Sequence, residues 1–110
     1  MNYKGETMKT IKFNFNGKKY SISEYKICSS WFSKMRGLMF RHRGFKTPLL
    51  FVFNSVGMYA IHSFFCRKFL VVWFLEKKDR LEFIDAKIVL SWVSCILPKK
   101  KFNLLLEIPL

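Results

Sequence analysis

Residues 61–76 read IHSFFCRKFLVVWFLE, an apolar block broken once by charge. Arg67-Lys68 divides it into two apolar runs. Phe, Val, Ile and Trp dominate both, the composition of chain that packs on a pleated surface. Tyr59–Cys66 and Phe69–Leu75 are therefore expected as two strands of a buried sheet. Upstream, Leu49–Phe53 is a third continuous apolar run, and Asn54-Ser55-Val56-Gly57 interrupts it. The competing reading is a membrane span. Thr47–Cys66 is twenty residues without a formal charge, followed by Arg67-Lys68 in the place of a cytoplasmic anchor. Asn54, Ser55, Gly57 and His62 would lie near its centre, where polar groups are costly, and the strand reading is preferred.

Moving outward, Ile11, Phe13 and Phe15 alternate with Lys12 and Asn14, the period of a half-buried strand. Asn16-Gly17 follows, and both residues tolerate the positive φ that a tight hairpin needs. Lys18–Ser23 is the expected return strand, with an extended arm reaching Ile27. Ser29 or Ser30 can cap a short helix carrying Trp31, Phe32, Met35, Leu38 and Met39 at helical spacing, and Gly37 limits its length. Beyond the central block, Lys77–Arg80 is a polar turn. Leu81–Ile84 and Lys87–Val93 are strands flanking a bend near Asp85, and Phe102–Ile108 is a last strand before Pro109. The expected fold class is α+β: one domain over residues 1–110, mainly antiparallel, barrel-like, with one or two short helices. Residues 1–8 are expected to be either disordered or not native, since Met8 can equally serve as the start.

The chain is 110 residues long and carries thirteen phenylalanines, enough apolar mass for a core without disulfides or metal. Cys28, Cys66 and Cys95 are isolated, odd in number and form no CxxC, so a reducing, cytoplasmic setting is expected. Net charge is +13, with eleven Lys/Arg against two Glu in residues 1–48. That balance favours an anionic partner, either a small molecule or nucleic acid. A bias of composition toward Lys, Asn, Phe and Ile explains the charge equally well.

Arg36-Gly37-Leu38-Met39-Phe40-Arg41 stands before Leu49–Phe53, and Ile61-His62-Ser63-Phe64-Phe65 follows. In that order these blocks resemble the domain-of-unknown-function family 192 (DUF-192), with archaeal members nearest in style. The resemblance runs from about residue 29 to residue 109 and includes the late strand ending Leu106-Glu107-Ile108-Pro109. It implies a compact, mainly β domain with one or two short helices, and it supplies no reaction. It also makes a membrane span the weaker reading. Two departures stand out. Phe69-Leu70-Val71 occupies the place of the family's usual Pro-Ile-Asp, so Val71 replaces a carboxylate, and Cys66 stands where relatives carry Met. The family normally continues beyond the Leu-Glu strand, whereas this sequence stops at Leu110, which implies a truncated or divergent member with an exposed sheet edge.

Two candidate sites emerge. Arg36, Arg41 and His62 are candidate ligand-binding residues, because guanidinium groups grip phosphate or carboxylate in bidentate fashion. Arg41, Arg43, Lys46 and Phe45 are candidate nucleic-acid contacts, the ring stacking on a base and the cations meeting phosphate. The bland alternative makes Leu38, Met39 and Phe40 core anchors with a solvated basic rim. His62 and Cys66 are four apart and would share a face of a strand, but no third ligand or orienting group accompanies them. Glu76, Asp79, Glu82 and Asp85 alternate with lysines and read as a salt-laced hairpin. No catalytic set, metal site or cofactor is expected. The functional expectation is a small intracellular, non-enzymatic domain that binds an anionic ligand near the RGLMFR segment. Sequence-independent nucleic-acid binding and membrane association through residues 47–66 are the alternatives.

Overall fold

A computed structural model of the chain describes residues 10–28, 46–63, 66–78, 80–93 and 95–110. Seven strands make up its regular structure: β1 (Ile11–Phe15), β2 (Lys18–Ile22), β3 (Lys26–Cys28), β4 (Leu49–Gly57), β5 (Phe69–Lys77), β6 (Arg80–Val89) and β7 (Phe102–Pro109). Among the described residues there is no helix, which corrects the expected α+β class to an all-strand architecture of two sheets. The helix expected after Ser29 lies outside the described residues. The sheets are a β1-β2 hairpin and a five-stranded sheet of order β3-β4-β7-β5-β6, and among the described residues no pairing joins its edge strands β3 and β6 into a barrel.

The hairpin forms as its dipeptide dictates. Asn16 and Gly17 take φ of 51° and 77°, and the strands pair in register from Phe15↔Lys18 to Ile11↔Ile22. In the large sheet, neighbours are antiparallel except β3 and β4, which run parallel with Lys26 beside Leu49 and Cys28 beside Phe51. The sheet is buried on both faces, and this explains the unbroken apolar run of β5. Phe69, Val71 and Trp73 enter one core with Leu49, Phe51 and Leu105. Leu70, Val72 and Phe74 enter the other with Leu50, Leu104 and Leu106. The hairpin closes this second face through Ile11 and Phe13; the Phe13 ring meets Phe74 edge-on at 6.0 Å and stacks on Tyr20 at 4.8 Å. Each such large side chain, once fully buried, contributes about 1.5–3 kcal/mol.

Two strand expectations change. Leu81–Ile84 and Lys87–Val93 were expected as separate strands. They merge into one strand, β6, and the bend near Asp85 is a β-bulge: Trp73 pairs with Asp85 but Phe74 with Phe83, so Ile84 is the extra residue. Among the described residues of Tyr59–Cys66 there is no strand, and their one ladder contact is a single bridge between Ile61 and Ile96. The cause is Ser63, fully buried, which draws the chain into a local knot. Its Oγ donates to the Leu90 carbonyl at 2.6 Å and accepts from the Val93 N–H at 2.7 Å. Its carbonyl accepts from the N–H groups of both Cys66 and Trp92. β4 also outruns its expected end and continues irregularly through Asn54–Val56 to Gly57, where the Tyr59 ring lies close against the glycine Cα.

Among the described residues, no helix is long and apolar enough to cross a membrane. Within residues 47–66, Leu49–Gly57 is β4, hydrogen-bonded between β3 and β7.

Candidate functional site

The edge strand β3 is entered through Ser23, Glu24 and Tyr25, and β4 through Lys46, Thr47 and Pro48. The Lys26 N–H donates to the Pro48 carbonyl at 2.9 Å and ties the two approaches together. Between them lies an open cleft of about 680 Å³ lined by Ser23, Glu24, Tyr25, Lys26, Lys46, Thr47 and Pro48. The lining supplies two ammonium groups and three side-chain hydroxyls, those of Ser23, Tyr25 and Thr47, against one carboxylate, a surplus of cation and of hydrogen-bond donors. Tyr25 is buried at the base of the approach, and burial holds its phenol above the ordinary value. The two lysines make no salt bridge among the described residues. The arrangement can take an anion bearing several oxygens.

Of the expected site residues, Lys46 is the one the structure places in this cleft. Arg36, Arg41, Arg43 and Phe45 lie outside the described residues. His62 is exposed, in the loop before Ser63, and is not among the residues lining the cleft. Lys26, Ser23 and Thr47 had gone unnoticed because nothing local marks them. They meet only because β3 and β4 pair in parallel across a long separation in sequence.

A second chemically unusual position is Glu107. It lies on β7, the middle strand of the sheet, with Leu49 on one side and Val71 on the other. It is buried, and desolvation pushes its carboxyl from the ordinary 4.5 up to about 8. Cys66 is also buried; burial first, then the nearby Glu107, pushes its thiol up to about 12. A thiol held so firmly protonated is a poor nucleophile, and with His62 exposed and Cys66 buried the pair does not form a shared strand face. Val71 stands where the resemblance leads one to expect an aspartate, and it is the direct neighbour of Glu107. Leu49 and Val71 thus flank Glu107 with apolar side chains within its row.

Of the acidic group around the β5–β6 turn, Glu76, Glu82 and Asp85 lie on the hairpin strands and Asp79 lies outside the described residues. Lys77 and Glu82 pair at 3.0 Å, and this contact with Lys77 holds the Glu82 carboxyl below its ordinary value. Asp85 accepts from the backbone N–H groups of Ala86 and Lys99. Among the described residues, no group of three His, Cys, Asp or Glu side chains could hold a metal ion.

No protein-family model matches the chain, and no curated protein matches it. Solved structures do. One is a protein of unknown function from Novosphingobium aromaticivorans DSM 12444, with a TM-score of 0.68 at 14% identity, covering 99% of this chain and 78% of that one. Another is a Sinorhizobium meliloti 1021 protein provisionally described as a transcription regulator, with a TM-score of 0.66 at 14% identity, covering 89% of this chain and 76% of that one. At this identity the likeness shows a shared fold.

Proposed function

We propose that this protein binds an anionic small ligand in the cleft between the approaches to β3 and β4, without carrying out a reaction on it. The observation that supports the reading is the cleft itself, in which Lys26 and Lys46 outnumber Glu24 and the hydroxyls of Ser23 and Thr47 stand beside them. Charge-assisted hydrogen bonds from ammonium groups to phosphate or carboxylate oxygens would fix such a ligand. The basic stretch Arg41–Lys46 leads directly into the site along the chain, so Arg41 remains a candidate to reach the same anion. The resemblance to DUF-192 proteins is compatible with this role and adds no chemistry to it.

The test is calorimetric titration with inorganic phosphate and with adenosine triphosphate as a polyphosphate probe. Lys26→Ala and Lys46→Ala should each weaken binding about tenfold, the value of one charge-assisted contact. Lys12→Ala, on the outer side of the hairpin, should leave it unchanged. Equal affinity in the Lys26→Ala/Lys46→Ala double variant and the parent would dismiss the cleft.

A second reading is sequence-independent nucleic-acid binding through Arg41, Arg43, Phe45 and Lys46. It is supported by the net charge of +13 and by the provisional description of the Sinorhizobium protein. Binding of a single-stranded oligonucleotide should then fall steeply between low and physiological salt and weaken in Arg41→Ala/Arg43→Ala. Affinity that ignores salt rejects it.

A further inference from the structure

Residues 58–75 and 86–106 contain no Asp or Glu, yet they carry Arg67, Lys68, Lys87, Lys99, Lys100 and Lys101. The structure interlocks these two stretches. Ile61 and Ile96 exchange backbone hydrogen bonds at 3.1 and 2.8 Å, the Ser63 N–H donates to the Val93 carbonyl at 2.9 Å, and the Trp92 N–H donates to the Ser63 carbonyl at 3.0 Å. The result is a cation-rich surface at the opposite side of the sheet order from the β3 cleft, bordered by Asp85, whose carboxylate accepts from the Lys99 N–H.

Its tip is the turn Leu90-Ser91-Trp92-Val93. Loop tips are normally polar, but Leu90 is 62% exposed and Trp92 60% exposed, and Val93 and Leu97 are exposed with them. Trp92 also has φ of 64°, a left-handed conformation that bulky side chains rarely adopt. Ser63 holds it there, through the bonds to Leu90, Trp92 and Val93. The fold therefore clamps a strained backbone that presents a large aromatic to solvent. Because Phe69 pairs with Val89, Lys68 and Leu90 follow one another across the end of the β5-β6 ladder, and exposed Arg67 adjoins. Apolar anchor and cations stand side by side.

We propose that the Leu90–Val93 turn, with Arg67 and Lys68, is a docking surface for an anionic lipid bilayer. The indole and Leu90 enter the headgroup boundary, where Trp partitions preferentially, and the two cations meet lipid phosphates and carboxylates. Each signal alone is weak; reversible attachment comes from their sum. A second copy is a poorer occupant. It would bring another +13 net charge, and residues 67–68 and 90–93 include no Asp or Glu to answer its cations. A nucleic acid could use the cations and the indole, but Leu90, Val93 and Leu97 offer it nothing.

The experiment is co-sedimentation of the full chain with vesicles of phosphatidylcholine alone and of phosphatidylcholine mixed with phosphatidylserine, repeated with acyl-brominated lipids as quenchers of Trp emission. The parent should pellet with the mixed vesicles only, release as salt rises, and be quenched by the brominated lipids. Leu90→Ser, Trp92→Gly and Arg67→Glu/Lys68→Glu should each weaken pelleting about tenfold, and Trp92→Gly should lower the lipid-dependent quenching. Glycine accepts the positive φ at this position, so Trp92→Gly should keep the parent's unfolding midpoint. Leu90→Ser probes the same anchor at a position with ordinary backbone. No binding to mixed vesicles overturns the proposal. Equal pelleting of the parent, Leu90→Ser and Trp92→Gly also overturns it, since charge alone would then explain attachment. A parent dimer that Trp92→Gly converts to a monomer, seen by sedimentation velocity, assigns the surface to a second copy instead.

Discussion

Two buried polar residues set the behaviour of this core, and they do so in opposite ways. Glu107 is buried without a salt bridge among the described residues, and its carboxyl keeps its proton up to about pH 8. The unfolded chain releases that proton near the ordinary value of 4.5. Its contribution to stability is thus fully present below about pH 4.5 and declines as pH rises toward about 8. Glutamine keeps the shape and removes the proton. Glu107→Gln should raise the urea midpoint at pH 9 and leave it nearly unchanged at pH 4.5, the gain scaling at about 1.4 kcal/mol for each unit of displacement. An equal effect at both pH values would mean that Glu107 is not the titrating group. Ser63, by contrast, is fully hydrogen-bonded, with one donor and one acceptor contact from a single oxygen. Ser63→Ala leaves the Leu90 carbonyl and the Val93 N–H without those partners, and should destabilise by about 1–3 kcal/mol in denaturant titrations.

At the scale of elements, what local chemistry dictates was readable and what distant contacts dictate was not. The β1-β2 hairpin follows from alternation plus Asn16-Gly17, both visible within a dozen residues. A Cβ at Gly17 would meet nothing within 4 Å, so the residue is required for its φ of 77° alone. Gly17→Ala should therefore cost roughly 1–2 kcal/mol, the strain of one left-handed residue. It should also loosen the face that Ile11 and Phe13 cover, seen as faster amide exchange in Leu70 and Val72. β5 was legible for a related reason: burial on both faces leaves an apolar run that needs no partner to be recognised. The Tyr59–Cys66 run has the same composition, but its described residues form no strand, because Ser63 spends its hydrogen bonds on residues 90–93. That outcome depends on a contact about thirty positions away, and no local pattern announces it. The bulge at Ile84 is a milder case. A bend was visible at Asp85, but only the ladder with β5 shows that one strand continues through it.

For the molecule as a whole, the candidate site was partly legible. Lys46 was singled out by its basic neighbourhood, whereas Lys26 joins it through the parallel β3-β4 pairing that alternation cannot encode. Glu107 was visible only as the end of a Leu-Glu strand, and its burial follows from β7 lying in the middle of the sheet. Net charge, in contrast, needs no fold to be read, and it has a global consequence. Twenty Lys/Arg against seven Asp/Glu repel one another more closely in the folded chain than in the unfolded one. Among the described residues a single side-chain ion pair, Lys77–Glu82, offsets this, and it is too exposed to matter much. Sodium chloride should therefore stabilise the protein. Raising it from about 0.01 M to about 0.15 M shortens the screening length from about 30 Å to about 8 Å. The melting temperature should climb by several degrees over that interval, since about 1 kcal/mol corresponds to roughly 4–8 °C in a domain of this size. A bound polyanion should do the same at low salt by occupying the folded state, and the two effects should not add, because salt that relieves the repulsion also releases the ligand. A melting temperature that falls as salt rises would show that attractive pairs, not repulsion, govern this surface.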